Sequence, residues 1–325
     1  MSVPQTTSDV LGAILRELRF TSAAYRWIEM TAPFRLVFDR PGLRGVHLIA
    51  AGACELALPD GEVVPLSAGD SVILPRGDDH ELRSGRAMAT SGFELAARTP
   101  GARLRGGGPG ARVSATIVCG AFVTDDPEHP ALRGLPRVLH IPGVGGDPPR
   151  WLTPYVEALR QEAFDPGPAG DVVMARLSDA LIARALRWHG ESADHSGWLA
   201  GLRDPHLAAA LGALHADPAR PWTLRSLAAT AGLSRTSFAA RFAAAVGEPP
   251  MRYLQSLRLH HARRLLRDER LTVAAVAARV GYASEGAFAA RFRQAFGVPP
   301  GAWRRGATSG NRLARGRVDG MEWQS

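Results

Sequence analysis

Residues Thr223 to Tyr253 recur, imperfectly, as Thr272 to Trp303. The copies align at an offset of 49 residues up to Gly232 and Gly281 and of 50 beyond them, the second copy carrying one extra turn residue. Each reads as a short apolar helix, a glycine turn and a second helix holding Phe-Ala-Ala-Arg-Phe, from Phe238 to Phe242 and from Phe288 to Phe292. Each closes on Gly-x-Pro-Pro, with Gly247, Pro249 and Pro250 in one copy and Gly297, Pro299 and Pro300 in the other. This is the pattern of a helix-turn-helix, whose second helix can lie in a DNA major groove. Two copies in one chain predict two adjacent groove segments read by one polypeptide.

Charge points the same way by its location. All 39 basic residues are arginine. Residues 1 to 196 carry 20 Arg against 23 acidic residues, a net of −3, whereas residues 197 to 325 carry 19 Arg against 8, a net of +11. A compositional bias toward Arg would act on both halves alike, so the asymmetry marks the C-terminal part as the nucleic-acid binder.

A chain of 325 residues fits about two domains with separate cores. It begins without a basic run leading into an apolar stretch, and no apolar segment approaches the roughly 20 residues that span a bilayer. The expectation is a cytoplasmic protein with no membrane partner. Cys54 and Cys119 are too few for a disulfide framework or a structural zinc site and read as buried thiols.

Residues 9 to 20 have the spacing of an amphipathic helix. From about Phe34 to Val123, short apolar runs alternate with Gly, Pro and Asp, which predicts an all-β sandwich or barrel. Within it Arg103 to Gly110 reads as a Gly-rich loop, and Asp125 to Arg150 as a Pro-rich connection with little regular structure. Residues 151–164 and 171–189 are predicted helices, and Gly190 to Gly201 an interdomain linker. Met251 to Arg267 reads as a helix joining the two repeats, about 25 Å long. The predicted organisation is therefore a β-rich domain over 1–150, a helical connector over 151–200, a DNA-binding domain over 201–305 and a disordered basic tail over 306–325. The fold class is α+β with two domains, a β-barrel followed by helices and then an all-α domain with two helix-turn-helix motifs.

On the recognition helices the Phe pairs define the buried stripe. The outward faces then carry Thr236, Ala240 and Ala243, flanked by Ser237, Ala239 and Arg241, and in the second copy Gly286, Ala290 and Arg293, flanked by Arg291. Ser234 and Ser284 occupy N-cap positions, followed by Arg235 and Glu285, where backbone N–H groups can receive a phosphate. The candidate DNA contacts are thus Ser234, Arg235, Thr236, Ser237, Ala240, Arg241, Ser284, Glu285, Ala290, Arg291 and Arg293. Arg258, Arg263, Arg264, Arg267 and Arg270 read as a solvated helix face.

The second copy, Gly281-Tyr282-x5-Phe288-x3-Phe292-Arg293-x3-Gly297-Val298-Pro299-Pro300-x2-Trp303-Arg304, resembles the signature of the AraC/XylS family of transcription regulators, and the likeness extends from Pro205 to Arg305. Where relatives often place Arg or Gln for base contact, this chain has Ala240 and Ala290. A bidentate side chain supplies about 1–3 kcal/mol of discrimination, so readout is expected from Arg235, Thr236, thymine-methyl contacts and phosphate clamps. The resemblance implies double-stranded DNA, a small-molecule effector, RNA polymerase and a second copy of the chain as partners.

In the N-terminal half, Gly69-x5-Pro75-x-Gly77-x2-His80 resembles the second motif of the cupin β-barrel, and many AraC-like regulators carry a cupin as sensor. Metal-binding cupins take further ligands from their first motif. Here His47 is followed by Ile49 where a second His is expected, and Glu55 is wrongly spaced. His47 and His80 are therefore read as lining an effector pocket, with no metal and no cofactor. Cys119, with Cys54 as its thiol partner, offers a redox alternative that ranks behind small-molecule sensing. No arrangement of residues suggests catalysis; the alternative from another class is a metal-dependent cupin enzyme with an accessory DNA-binding module.

Overall fold

The described residues of the first half pair into strands β1 (Phe20–Met30), β2 (Phe34–Phe38), β3 (Arg44–Ala57), β4 (Val63–Ser67), β5 (Ser71–Ile73), β6 (His80–Ser84), β7 (Thr90–Ser91), β8 (Arg103–Gly106), β9 (Ala115–Thr124) and β10 (Leu139–Ile141). The computed structural model describes residues 10–12, 20–40, 42–92, 103–106, 112–124, 129–165, 167–191, 198–267 and 271–306. These form two units, one of residues 20–124 and 136–191, the other of 10–12, 129–135 and 198–306.

In the barrel unit the strands run β7-β2-β6-β3-β9-β1-β8, with β4 on β3 and β5 between β3 and β10. β3 belongs to both sheets of the barrel. Its residues 44–52 pair antiparallel with β9, and residues 53–57 pair with β4. The passage between them carries a register shift after Ile49 and Gly52 at φ +76. A Cβ on Gly52 would lie 1.9 Å from the Ser114 carbonyl oxygen, so only glycine fits the bend. Ile28, Leu36, Ile49, Leu56, Val72, Leu82 and Ile117 fill the interior. The opposite face of β1, β3, β5 and β9, with Tyr25, Trp27, Val46, Leu48 and Val118, lies under the helices that follow α1 (Pro130–Arg133), namely α2 (Thr153–Phe164) and α3 (Gly170–Glu191).

Four expectations change. Arg103–Gly106, expected in a loop, is β8, paired in parallel with β1 from Trp27↔Arg103 to Met30↔Gly106. The connection 125–150 contains α1 and β10, the latter held by backbone bonds to β5. Gly190 and Glu191 close α3 and Trp198–Gly201 is a helical turn, α4, so only residues 192–197, outside the described residues, are left for the expected linker. Of the expected helix 9–20, Val10–Gly12 is helical, 13–19 lie outside the described residues and Phe20 opens β1. The expected tail, past Gly306, also lies outside them.

The helical unit continues with α5 (Pro205–Ala216), α6 (Leu224–Thr230), α7 (Arg235–Val246), α8 (Pro250–Leu265), α9 (Val273–Arg279), α10 (Glu285–Phe296) and α11 at 300–306. The repeat is visible in its caps. Thr223 and Thr272 cap α6 and α9 by accepting from Ser226 and Ala275 N–H, and Ser234 and Ser284 do the same for α7 and α10. Gly247 and Gly297 end the recognition helices in the left-handed region, at φ 88 and 77. Residues 129–135, from between β9 and β10, complete this unit: the His129 ring sits 5.8 Å from that of His260 on α8, and a Cβ on Gly134 would lie 2.7 Å from Trp198 Cδ1.

Candidate nucleic-acid interface and sensor site

Two apolar anchors set the rotation of each recognition helix. Phe238 and Phe242 in α7, and Phe288 and Phe292 in α10, are fully buried, and both ring pairs have centroids 5.5 Å apart. With that stripe inward, Ser234, Arg235, Thr236, Ala240 and Arg241 are exposed and Ser237 is half-buried. Ser284, Glu285, Ala290, Arg291 and Arg293 are exposed on α10. The first turn of α7 holds no acidic residue, so its N-terminal partial charge faces outward uncompensated, whereas Glu285 offsets that of α10. Arg241 lies 3.7 Å from Asp204, the N-cap of α5, a neighbour the repeat pattern did not reveal because it lies outside the repeat. Arg291 donates to Gln294 Oε1 at 3.0 Å.

The linking helix corrects the reading of its arginines as one solvated face. Arg264 and Arg267 are exposed, but Arg263 is buried, its guanidinium 4.7 Å from the Phe296 centroid and 4.3 Å from that of Trp303. Arg258 donates from Nε to the Pro218 carbonyl at 2.7 Å and from Nη2 to that of Arg220 at 2.7 Å. A planar delocalised cation stacks on aromatics and spans carbonyls where a polar face alone would demand water. Arg270 lies outside the described residues.

In the barrel, His47 and His80 meet directly, Nε2 to Nε2 at 2.7 Å. His80 Nδ1 lies 2.9 Å from the Asp78 carbonyl, which can only accept, so His80 carries its proton on Nδ1. Its Nε2 must then accept from His47 Nε2–H, and His47 Nδ1 is a lone pair. That atom is buried and has no hydrogen-bond partner among the described residues. Phe38 stacks on His80 at 4.9 Å and 9°. Burial holds His80 below the ordinary imidazole range and His47 well below it, with His80 adding to the effect on His47.

Among the described residues the pair brings together two imidazoles and no third ligand. The two Nε2 atoms are engaged with each other, Ile49 is in the apolar core, and Glu55 points outward to Arg83 at 3.1 Å. No group of three or more His, Cys, Asp or Glu side chains converges among the described residues. Cys54 and Cys119 share the barrel core as free thiols. Burial pushes Cys54 up to about 12 and Cys119 well above the ordinary thiol range, the reverse of an activated thiolate. A cavity of about 20 Å³ lies on the other face of the sheet, lined by Tyr25, Leu48, Ile73, Leu159 and Leu181, and is separate from the histidine pair. No described helix is long and apolar enough to cross a membrane.

A barrel with a buried polar pair and a helical unit with two exposed, identically capped recognition helices define a two-domain DNA-binding regulator. Residues 9–191 match the cupin family, and residues 227–306 match a helix-turn-helix domain family. An AraC-like transcription regulator of Streptomyces lividans is 36% identical over 83% of this chain and 90% of its own. Another, from Streptomyces antibioticus, is 35% identical over 91% of this chain and 98% of its own. Among solved structures, the DNA-binding domain of AdpA in complex with a target DNA is 32% identical, covering 33% of this chain and 95% of that one, with a TM-score of 0.31. The chain belongs to the AraC-like transcription regulators, with an N-terminal cupin domain and a C-terminal helix-turn-helix domain.

Proposed function

We propose that the chain recognises DNA with both recognition helices, in successive major grooves, and that a small effector acting at the His47–His80 pair alters this binding. The observation that carries the DNA reading is the matched pair of solvent-facing surfaces, Ser234, Arg235, Thr236, Ala240 and Arg241, with half-buried Ser237, on one copy and Ser284, Glu285, Ala290, Arg291 and Arg293 on the other. Ala240 and Ala290 supply methyl contacts and the arginines supply phosphate contacts, so affinity is to be strongly salt-dependent. In this reading the chain is a cytoplasmic homodimer that works with RNA polymerase and catalyses no reaction.

The effector reading draws on the unpartnered Nδ1 of His47, an acceptor that an incoming N–H or O–H would satisfy. An effector can act only if it binds the states of the regulator unequally. Residues 129–135 give such a bias a route, because Arg137, just beyond them, donates to the Asp78 carboxylate at 3.2 Å while the Asp78 carbonyl accepts from His80. The test is footprinting of duplexes selected by the protein from a random pool. Arg235→Ala or Thr236→Ala should alter protection in one groove segment, and Arg291→Ala or Arg293→Ala about one turn away; protection confined to one segment for every variant refutes the reading. His80→Ala should blunt the effector response and leave basal DNA binding in place.

A further inference from the structure

Bipartite reading needs more than two recognition helices; it needs their separation and relative rotation to be held. α8, 16 residues and about 24 Å long, sets the distance and packs one end into each core, with Tyr253 against Phe242 at 5.7 Å between centroids and Leu259, Ala262 and Leu266 clustered with Phe288 and Phe292. A further contact, at the middle of the helix, ties the two copies to each other. Arg258 Nε donates to the Pro218 carbonyl at 2.7 Å, and Nη2 reaches the carbonyls of Ala219 at 3.4 Å and Arg220 at 2.7 Å. These three belong to the loop that leads from α5 into the first helix-turn-helix, and Trp222 Nε1 ties the same loop back to the Asp217 carbonyl at 2.8 Å.

The same loop touches the second helix-turn-helix. Gly281 forms its turn at φ +82, and a Cβ there would stand 2.3 Å from the Ala219 carbonyl oxygen and 2.9 Å from Arg258 Nη2. The second turn therefore rests on the approach to the first, with the Arg258 guanidinium in the seam. Among the described residues the equivalent turn of the first copy has no such neighbour: the atom nearest a Cβ on Gly232 is His206 Nδ1, at 3.7 Å. The contact is thus peculiar to the joint between the copies and is not part of the repeated motif.

We propose that Arg258 is a positioning residue for two-groove reading, fixing the phase between α7 and α10 and so the spacing of the two half-sites that the protein accepts. The proposal rests on the two-groove reading above. Its test uses the full-length protein and a duplex that the wild type has selected from a random-sequence pool, with one base pair inserted or deleted between the two footprinted segments. One base pair turns the far segment by about 35° and moves it about 3.4 Å. For the wild type, either change should weaken binding by about tenfold, as a misplaced specific contact does. For Arg258→Lys and Arg258→Gln the three spacings should fall within about threefold of one another, because the copies can then re-phase at the cost of affinity for the selected spacing.

The ratio between spacings is the reading taken, since a variant that merely folds less well loses affinity equally on all three duplexes. Equal loss on all three, or a wild-type spacing preference in both variants, overturns the role of Arg258. A wild type indifferent to spacing, with protection in one groove only, overturns the two-groove reading and this proposal with it.

Discussion

His47 and His80 are polar groups held where protonation is penalised, and this has a consequence for stability. Burial lowers both pKa values, so as pH falls below about 6.5 the unfolded chain takes up protons that the folded pair refuses. Stability contributed by the pair is therefore intact at neutral pH and declines as pH drops. Thermal unfolding should show a larger fall in midpoint between pH 7.5 and pH 5.5 for the wild type than for His47→Gln; equal slopes would contradict the assignment. On α8, Arg263→Ala should destabilise by about 1–3 kcal/mol through lost stacking and packing, while exposed Arg264→Ala should stay within about 0.5 kcal/mol, both read from denaturant midpoints. The inward side of the Phe pairs was legible because four-residue spacing defines a helix stripe. The burial of Arg263 and half-burial of Arg258 were not, because what makes them tolerable, three carbonyls and the Trp303 and Phe296 rings, comes from segments about 30 to 40 residues away in sequence.

At the level of elements, the capping residues carry a second expectation. Ser234 and Ser284 each accept one N–H at 3.2 Å, so replacing either with Ala should cost about 0.5–2 kcal/mol. Measured by unfolding, Ser234→Ala and Ser284→Ala should be alike, since the two caps are built alike; a loss at one and none at the other would break the equivalence of the copies. The two recognition helices were legible almost to their ends because apolar period, serine cap and glycine stop all agree there. The strands were harder. β1 went unseen because both its faces are covered, Tyr25 and Trp27 on one side and Ile28 and Met30 on the other, which erases the alternation that marks a half-exposed strand. β8 lies in a Gly-rich stretch and is held by ladder bonds to β1 and by the Arg105–Glu29 pair at 2.8 Å, neither of which leaves an apolar signature.

For the whole molecule, the net of +11 over residues 197–325 makes DNA affinity a counterion-release equilibrium. Raising salt from 50 to 200 mM should weaken binding by at least about a hundredfold if several phosphates are contacted, and a titration with a slope near zero would be incompatible with that. Two domains could be counted from charge and texture, but the return of residues 129–135 to the helical unit could not, since a short Pro-rich stretch says nothing about which core it joins. That return limits how far the two halves are interchangeable parts. A hybrid regulator spliced at 192–197 would inherit every repeat and every arginine of the DNA-binding half yet lack the stretch carrying His129, Leu132 and Gly134, leaving the His260 edge and the Trp198 ring open to water. A donor sensor must bring a finger of its own to that place, so transplantable specificity in this architecture depends on an insertion inside the sensor as much as on the domain that meets DNA.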